Sequence, residues 1–239
     1  MAQESLDTLQ KEWETEFSYG PTHLIKRKIV SKILQPLQGL LILDLGCGGG
    51  SYTALLEKSN RVIAMDLSLV SVEKTKLLRE HQGMNLVAQI LQLPFPDNIF
   101  DAVVAFDILE HIDRDEGAVQ EIHRVLKPKG KLLFVVPEDM TLFSPIDVAN
   151  GHFRRYSLES IRKLLAAFNL VNLSDFGFPL MRLYLRLLGK RLLTVRSQNS
   201  PTLLIRFLSP LVVGVFHFDR LFNGSFRGVE IFGVAQKPG

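Results

Sequence analysis

The sequence predicts an α/β fold built on a doubly wound parallel sheet. Short apolar runs alternate with helical patterns along most of its 239 residues, as in a sheet covered by helices on both faces. The stretch LILDLGCGGGSYTALLEKSNRVIAMDLS, from Leu41 to Ser68, reads as strand, glycine loop, helix, strand and acid, the outline of a nucleotide-binding half-fold. The polar clusters in turn fall just after predicted strands, at the edge where open α/β sheets bind ligands.

Each element follows from its own residues. Residues 4–37 are polar and helical in pattern, and Gly20, Pro21 and Pro36 break them into two helices, read as a cap over residues 1–37. Leu41–Leu45 is a buried strand by its length, Gly46–Gly50 a loop and Tyr52–Lys58 a helix. Arg61–Met65 is a second strand ending at Asp66, and Ser71–His81 a helix. Leu86–Ile90 is a third strand, and LPFPDN a loop by its two prolines. Asp101–Phe106 is a strand and Asp115–Leu126 a helix. KPKG turns into the strand Lys131–Val136, which Pro137 stops. Leu158–Phe168 is a helix capped by Ser157, and Leu170–Asp175 and Val229–Ala235 are the last strands.

Composition narrows the function classes. A hydrophobic content of 46% with 22% charged residues suits a globular core. The single cysteine, Cys47, rules out an intrachain disulfide, and packing between glycines accounts for it better than a reactive thiol. The polar, acidic N-terminus is unlike a signal peptide, so a cytoplasmic location is expected. No uncharged apolar run reaches the roughly 18–20 residues of a spanning helix. The net charge of +3 hides an asymmetry, because from Met181 onward there are nine Lys or Arg against two Asp or Glu. That tail is also apolar, which suits a membrane surface or an acidic amphiphile better than nucleic acid.

The glycine loop raises the question of which nucleotide it holds. Gly46 and Gly48 fit the dinucleotide pattern, but Ser51 stands at its third glycine, and the spacing Gly46, Gly48, Gly50 fits better. Asp44 lies just before the loop, where a carboxylate would oppose a pyrophosphate and favour an ammonium or a sulfonium. Asp66 ends the second strand, where an acid can accept both ribose hydroxyls. A ribose and a cation, with no demand for phosphate, describe S-adenosylmethionine.

On these residues the chain resembles class I S-adenosylmethionine-dependent methyltransferases of the small-molecule type, including those of ubiquinone and menaquinone synthesis. DLGCGGG, AMDLS, LQLPFPDNIFDAVVAFDILEHI and RVLKPKGKLLFVVP match that family's blocks in order across residues 41–137. The resemblance implies a Rossmann-like, seven-stranded sheet. Its core would cover residues 38–177, followed by a basic, apolar helical insertion at 178–228 and the last strand at 229–239. It implies that Asp44 orients the methionine ammonium and that Gly46, Gly48 and Gly50 admit the cofactor. Asp66 would hold the ribose, Leu67 would lie on the adenine, and Phe106 and Asp107 would face the cofactor from the fourth strand. Gln89 stands where relatives often carry an Asp for the adenine amino group, and Lys129 where they carry a second glycine. Tyr19 and His23 could close over the methionine end or form a solvated cap.

Methyl transfer needs alignment, exclusion of water and removal of any acceptor proton. His111 after the fourth strand, and His152 in NGHFRRYS, are the base candidates; the bland reading of His111 is that it shapes the pocket. Arg154, Arg155 and Tyr156 are candidates for acceptor binding, with bridging to acids elsewhere in the fold an equal reading. Asp107, Glu110 and His111 partly match a metal-binding pattern of quinone O-methyltransferases. Acids favoured by a helix N-terminus explain them as well, and no metal is assigned.

The expected acceptor is a small molecule: a lipid, a quinone precursor or a lipid-linked glycan, methylated at oxygen. A nucleic-acid acceptor is disfavoured, since no Asn/Asp-Pro-Pro-Tyr-type motif is present and the tail is too apolar. A non-catalytic module that binds S-adenosylmethionine is the alternative, which the intact Asp44, Asp66 and glycines oppose. Residues 178–196 place Arg182, Arg186 and Lys190 on one helix face beside Leu and Met. With the apolar run 203–218 they suggest peripheral contact at the inner face of the membrane, or a homodimer interface.

Overall fold

A computed structural model describes residues 21–79, 83–195, 213–222 and 228–239. The helix expected within residues 4–20, Tyr19, and the part of the apolar run from 203 to 212 lie outside the described residues. The elements run α1 (Pro21–Leu34), β1 (Leu41–Leu45), α2 (Ser51–Leu56), β2 (Arg61–Asp66), α3 (Leu69–Leu78), β3 (Asn85–Val87) and β4 (Phe100–Phe106). After them come α4 (Asp115–Val125), β5 (Leu126–Pro137), α5 (Pro145–Ala149), α6 (Leu158–Leu164), β6 (Asn169–Phe176), α7 (Leu180–Val195) and β7 (Glu230–Gln236).

The seven strands lie in the order β3-β2-β1-β4-β5-β7-β6. The sheet is not wholly parallel, which corrects the sequence reading. β7 runs antiparallel to both β5 and β6. The reversal places Glu230, the first residue of β7, opposite Pro137 at the carboxyl end of β5. An acid distant in sequence therefore joins the ligand-binding edge.

Alternate residues of the central strands feed two cores. Val103 and Ala105 of β4, with Leu132 and Phe134 of β5, pack against Ile122 and Val125 of α4 and Ile161 of α6. Ala102, Val104 and Phe106, with Leu133 and Val135, pack on the other face against Ile25, Val30 and Leu34 of α1 and Met181 of α7. The described part of the expected cap is thus a layer of the core. α7 stands between β6 and β7, where a helical insertion was expected.

The glycine loop has a local cause. Gly50, at φ +79°, precedes α2, and a Cβ there would stand 2.8 Å from Thr75 Cα. Gly46, at φ +69°, would bring a Cβ to 2.8 Å from Ile108 Cδ1. At these two glycines the chain's own packing already leaves no room for a side chain. Gly48, at φ +50°, has nothing within 4 Å of the Cβ position, so it is the glycine left open to a ligand. Lys129 takes φ +63°, in the left-handed region. It therefore bears the left-handed cost of about 1–2 kcal/mol that a glycine would avoid.

Candidate active site

The site is built where β1 pairs with β2 on one side and β4 on the other, the switch point of the sheet. The amides of Gly46 and Cys47 donate to the Met65 carbonyl at 2.8 and 3.0 Å, which ties the loop to the end of β2. Asp66 accepts from the amide of Gly48 at 3.0 Å and from that of Ser68 at 2.8 Å. Both carboxylate oxygens are thereby fixed in orientation at the strand end. Leu67, 42% exposed, follows it. Gln89 is exposed just beyond β3, which ends at Val87 rather than at Ile90.

Asp44 lies beneath the loop, 3% exposed, and accepts from Thr53 Oγ1 at 2.6 Å. Burial, reinforced by the Asp66 charge, pushes its carboxyl up to about 6 against the Thr53 bond. A cationic ligand would favour the ionised form. Cofactor affinity is therefore expected to fall as pH drops through about 6, by roughly tenfold per unit well below that value. Titration calorimetry with S-adenosylhomocysteine, whose ammonium remains, should show this slope in the native chain and not in Asp44→Asn. Cys47 is buried, and Thr75 Oγ1 lies 3.4 Å from its sulfur. Burial pushes the thiol up, consistent with packing.

The far side of the site carries a charged cluster. Phe106 ends β4, with the Tyr52 ring 5.2 Å away and edge-on. Asp107 follows at φ +52°, a left-handed backbone seldom adopted by residues other than glycine. Lys26, reaching from α1, pairs with Asp107 at 2.7 Å and with Glu230 at 2.8 Å. Burial would lower the Lys26 ammonium, but these two carboxylates outweigh it and hold it up. His23 is held down mainly by burial and next by the Lys26 charge, so it stands at the same cluster. Tyr52 Oη, Glu110 Oε2 and Glu230 Oε2 are buried there without a hydrogen-bond partner. Lys26, Tyr52 and Glu230 were missed by sequence reasoning, because nothing local marks them.

His111 and His152 do meet. Their rings lie 4.6 Å apart, edge to face at 89°. His152 Nδ1 lies 3.1 Å from Asp147 Oδ1, which leaves Nε2 as its open nitrogen. The main chain at Asn150 and Gly151 hydrogen-bonds the His111 ring. Burial, and then the His152 charge, push His111 down to about 4, so it is neutral near pH 7. Glu110 is 1% exposed, and burial followed by the Asp107 charge pushes it well up.

Arg154, Arg155 and Tyr156 are engaged with acids of the chain, the second of the two readings the sequence left open. Arg155 holds Asp147 Oδ1 through Nε and Nη2, each at 2.8 Å. Burial alone would raise the Asp147 carboxyl, but the His152 and Ser144 hydrogen bonds and the Arg155 charge hold it well below its usual range. Arg155 thus positions the acid that positions His152. Arg154 pairs with Asp115 at 2.9 Å, and the buried Tyr156 hydroxyl donates to the same acid at 2.9 Å. All three line a groove of about 690 Å³ whose other residues come from α4, α6 and the turn after it.

The comparisons with known proteins agree with this geometry. A family model described as a methyltransferase domain matches residues 43–134. An uncharacterised protein of Methanocaldococcus jannaschii is 39% identical over 121 residues, 51% of this chain and 49% of that one. The ubiquinone biosynthesis O-methyltransferase of Coxiella burnetii is 29% identical over 134 residues, 54% of this chain and 57% of that one. The chain thus spans about half the length of these curated relatives. Among solved structures, the N-methyltransferase NodS of Bradyrhizobium japonicum, in complex with S-adenosylhomocysteine, superposes with a TM-score of 0.63. That match covers 98% of this chain and 99% of NodS at 15% identity, a likeness of fold.

The methyltransferase-domain match over residues 43–134, together with the fold, supports a class I S-adenosylmethionine-dependent methyltransferase. The residues present fit that cofactor: Gly48 leaves an open approach, Asp66 offers oriented carboxylate oxygens, and Asp44 lies under the loop for a cation.

Proposed function

We propose that the chain transfers a methyl group from S-adenosylmethionine to a hydroxyl of a small, apolar acceptor, such as a lipid, a quinone precursor or a lipid-linked glycan. The observation that carries this is the paired site. A nucleoside-binding edge at Asp44, Gly48 and Asp66 shares one rim of the sheet with a half-buried histidine pair, of which His111 is held neutral near pH 7. Bound there, the cofactor supplies a sulfonium methyl and leaves as a neutral thioether. No acid is then needed, so the chain has to align the acceptor oxygen, exclude water and remove its proton. The proton leaves at the histidine pair, to an imidazole or through what the pair holds.

Two features support an apolar acceptor. The relatives include proteins named as an enzyme of ubiquinone biosynthesis and as a sterol 24-C-methyltransferase of Gibberella zeae, the latter 33% identical over 99 residues, 38% of this chain and 26% of that one. In the region between β6 and β7, Leu183, Leu187, Phe218 and Leu221 are each more than half exposed. Among the described residues no helix is long and apolar enough to cross a membrane, so contact of residues 178–218 with a lipid surface would be peripheral.

The test is incubation of the pure chain with methyl-labelled S-adenosylmethionine and an extract of the source cell, followed by partition into organic solvent. Label in the organic phase is the expected result. Label confined to the aqueous phase would turn the search to soluble metabolites. No transfer at all, with S-adenosylhomocysteine still bound, would favour the non-catalytic module.

A further inference from the structure

We infer that Glu110, His111 and His152 form a binding site for a divalent transition-metal ion, with zinc the best match among biological ions. One ligand atom from each residue lies within 4.8 Å of the others. Two imidazoles and one carboxylate are the donor set of open zinc sites and of related first-row metals; magnesium and calcium prefer oxygen donors alone.

Three further observations point the same way. Glu110 Oε2 is buried without a hydrogen-bond partner, an arrangement that is costly unless something else satisfies that oxygen. His152 is oriented by a carboxylate on its other nitrogen, the Asp147 contact at 3.1 Å, as metal-bound histidines commonly are. Arg155 and Ser144 hold that carboxylate in turn, at 2.8 and 2.9 Å. Asp107, the acid the sequence would group with Glu110 and His111, is taken by Lys26 at 2.7 Å. His152, 41 residues after His111, replaces it in the set. Ligands about 2.1 Å from a tetrahedral ion stand about 3.4 Å apart, so small side-chain rotations would close the set.

This inference rests on the hydroxyl-acceptor reading for its purpose. Three protein ligands leave a coordination position for the acceptor oxygen, whose proton is lost more readily on the ion. The C–O bond forms as the C–S bond breaks, and the proton passes to solvent. No electron is transferred.

The test uses the tag-free chain, stripped by chelator and titrated with Zn²⁺ by calorimetry and with Co²⁺ by visible absorption. One ion per chain is expected, with the intense absorption of low-coordinate Co²⁺. His152→Ala and Glu110→Gln should each weaken Zn²⁺ at least about 100-fold, and Asp147→Asn by about 10- to 100-fold. Binding of S-adenosylhomocysteine should be unchanged in His152→Ala, which shows that the fold survives. No ion bound by the native chain, or ion binding indifferent to all three substitutions, would overturn the site. If S-adenosylhomocysteine still binds in that case, the methyltransferase reading stands. If the ion binds but the nucleoside does not, the reading fails and the metal site stands.

Discussion

Asp66→Ala is expected to weaken S-adenosylhomocysteine by at least about 100-fold. Asp66 has its two oxygens oriented at the end of β2 by the amides of Gly48 and Ser68, and a carboxylate can accept more than one bond at each oxygen. Two ribose hydroxyls donating to a carboxylate are worth about 1.5–3 kcal/mol each. Losing both removes about 3–6 kcal/mol, or roughly two to four powers of ten in affinity. Asp66→Asn keeps one acceptor oxygen and should fall between the two. The Ala variant also leaves two amides without their acceptor, so a urea melt belongs beside the calorimetry. A native-like melt with unchanged affinity would mean that the nucleoside does not sit against β2.

The cofactor half of the site was legible in the sequence because its parts are local. Asp44, the glycines and Asp66 belong to one strand-loop-helix-strand unit, and their order and spacing carry the chemistry. The identity of the atoms that need each glycine was not legible. Ile108 and Thr75, which crowd Gly46 and Gly50, lie 62 and 25 residues away along the chain. The acceptor half depends on more distant pairings. Lys26 reaches Asp107 across 81 residues. Glu230 arrives only because β7 runs antiparallel, a direction that its apolar run does not encode. The pairings of Arg154 and Tyr156 are distant in the same way: the acid that engages both, Asp115, lies on α4. His111 and His152 were each picked out singly. Their meeting follows from the Phe153 amide donating to the Glu110 carbonyl at 2.8 Å, a contact no spacing rule supplies.

The second large effect is expected at His111. Removal of a positioned base costs about 10²–10⁴ in rate. With the acceptor identified, His111→Ala should lower kcat by at least about 100-fold and leave the affinity for S-adenosylhomocysteine within about twofold. The pH dependence separates this chemical role from a packing role. Folding holds His111 near 4, below its ordinary 6.5, because burial disfavours the charged ring. Between those two values the unfolded chain binds the proton and the folded chain does not. Its contribution to stability is therefore complete above about pH 6.5 and is lost as pH falls toward 4. The native chain should thus keep the imidazole neutral well below pH 6.5, and its activity should not show the ordinary histidine titration. His111→Ala should lose kcat by the same factor across that range and should also lose the acid-side decline in stability. His111→Gln tests the rival role, because the amide fills the space and can bond the Asn150–Gly151 main chain but cannot take up a proton near neutrality. If Gln restores kcat, His111 only shapes the pocket. If it restores the melt and not kcat, the ring nitrogen itself does the chemistry, as base or as ligand.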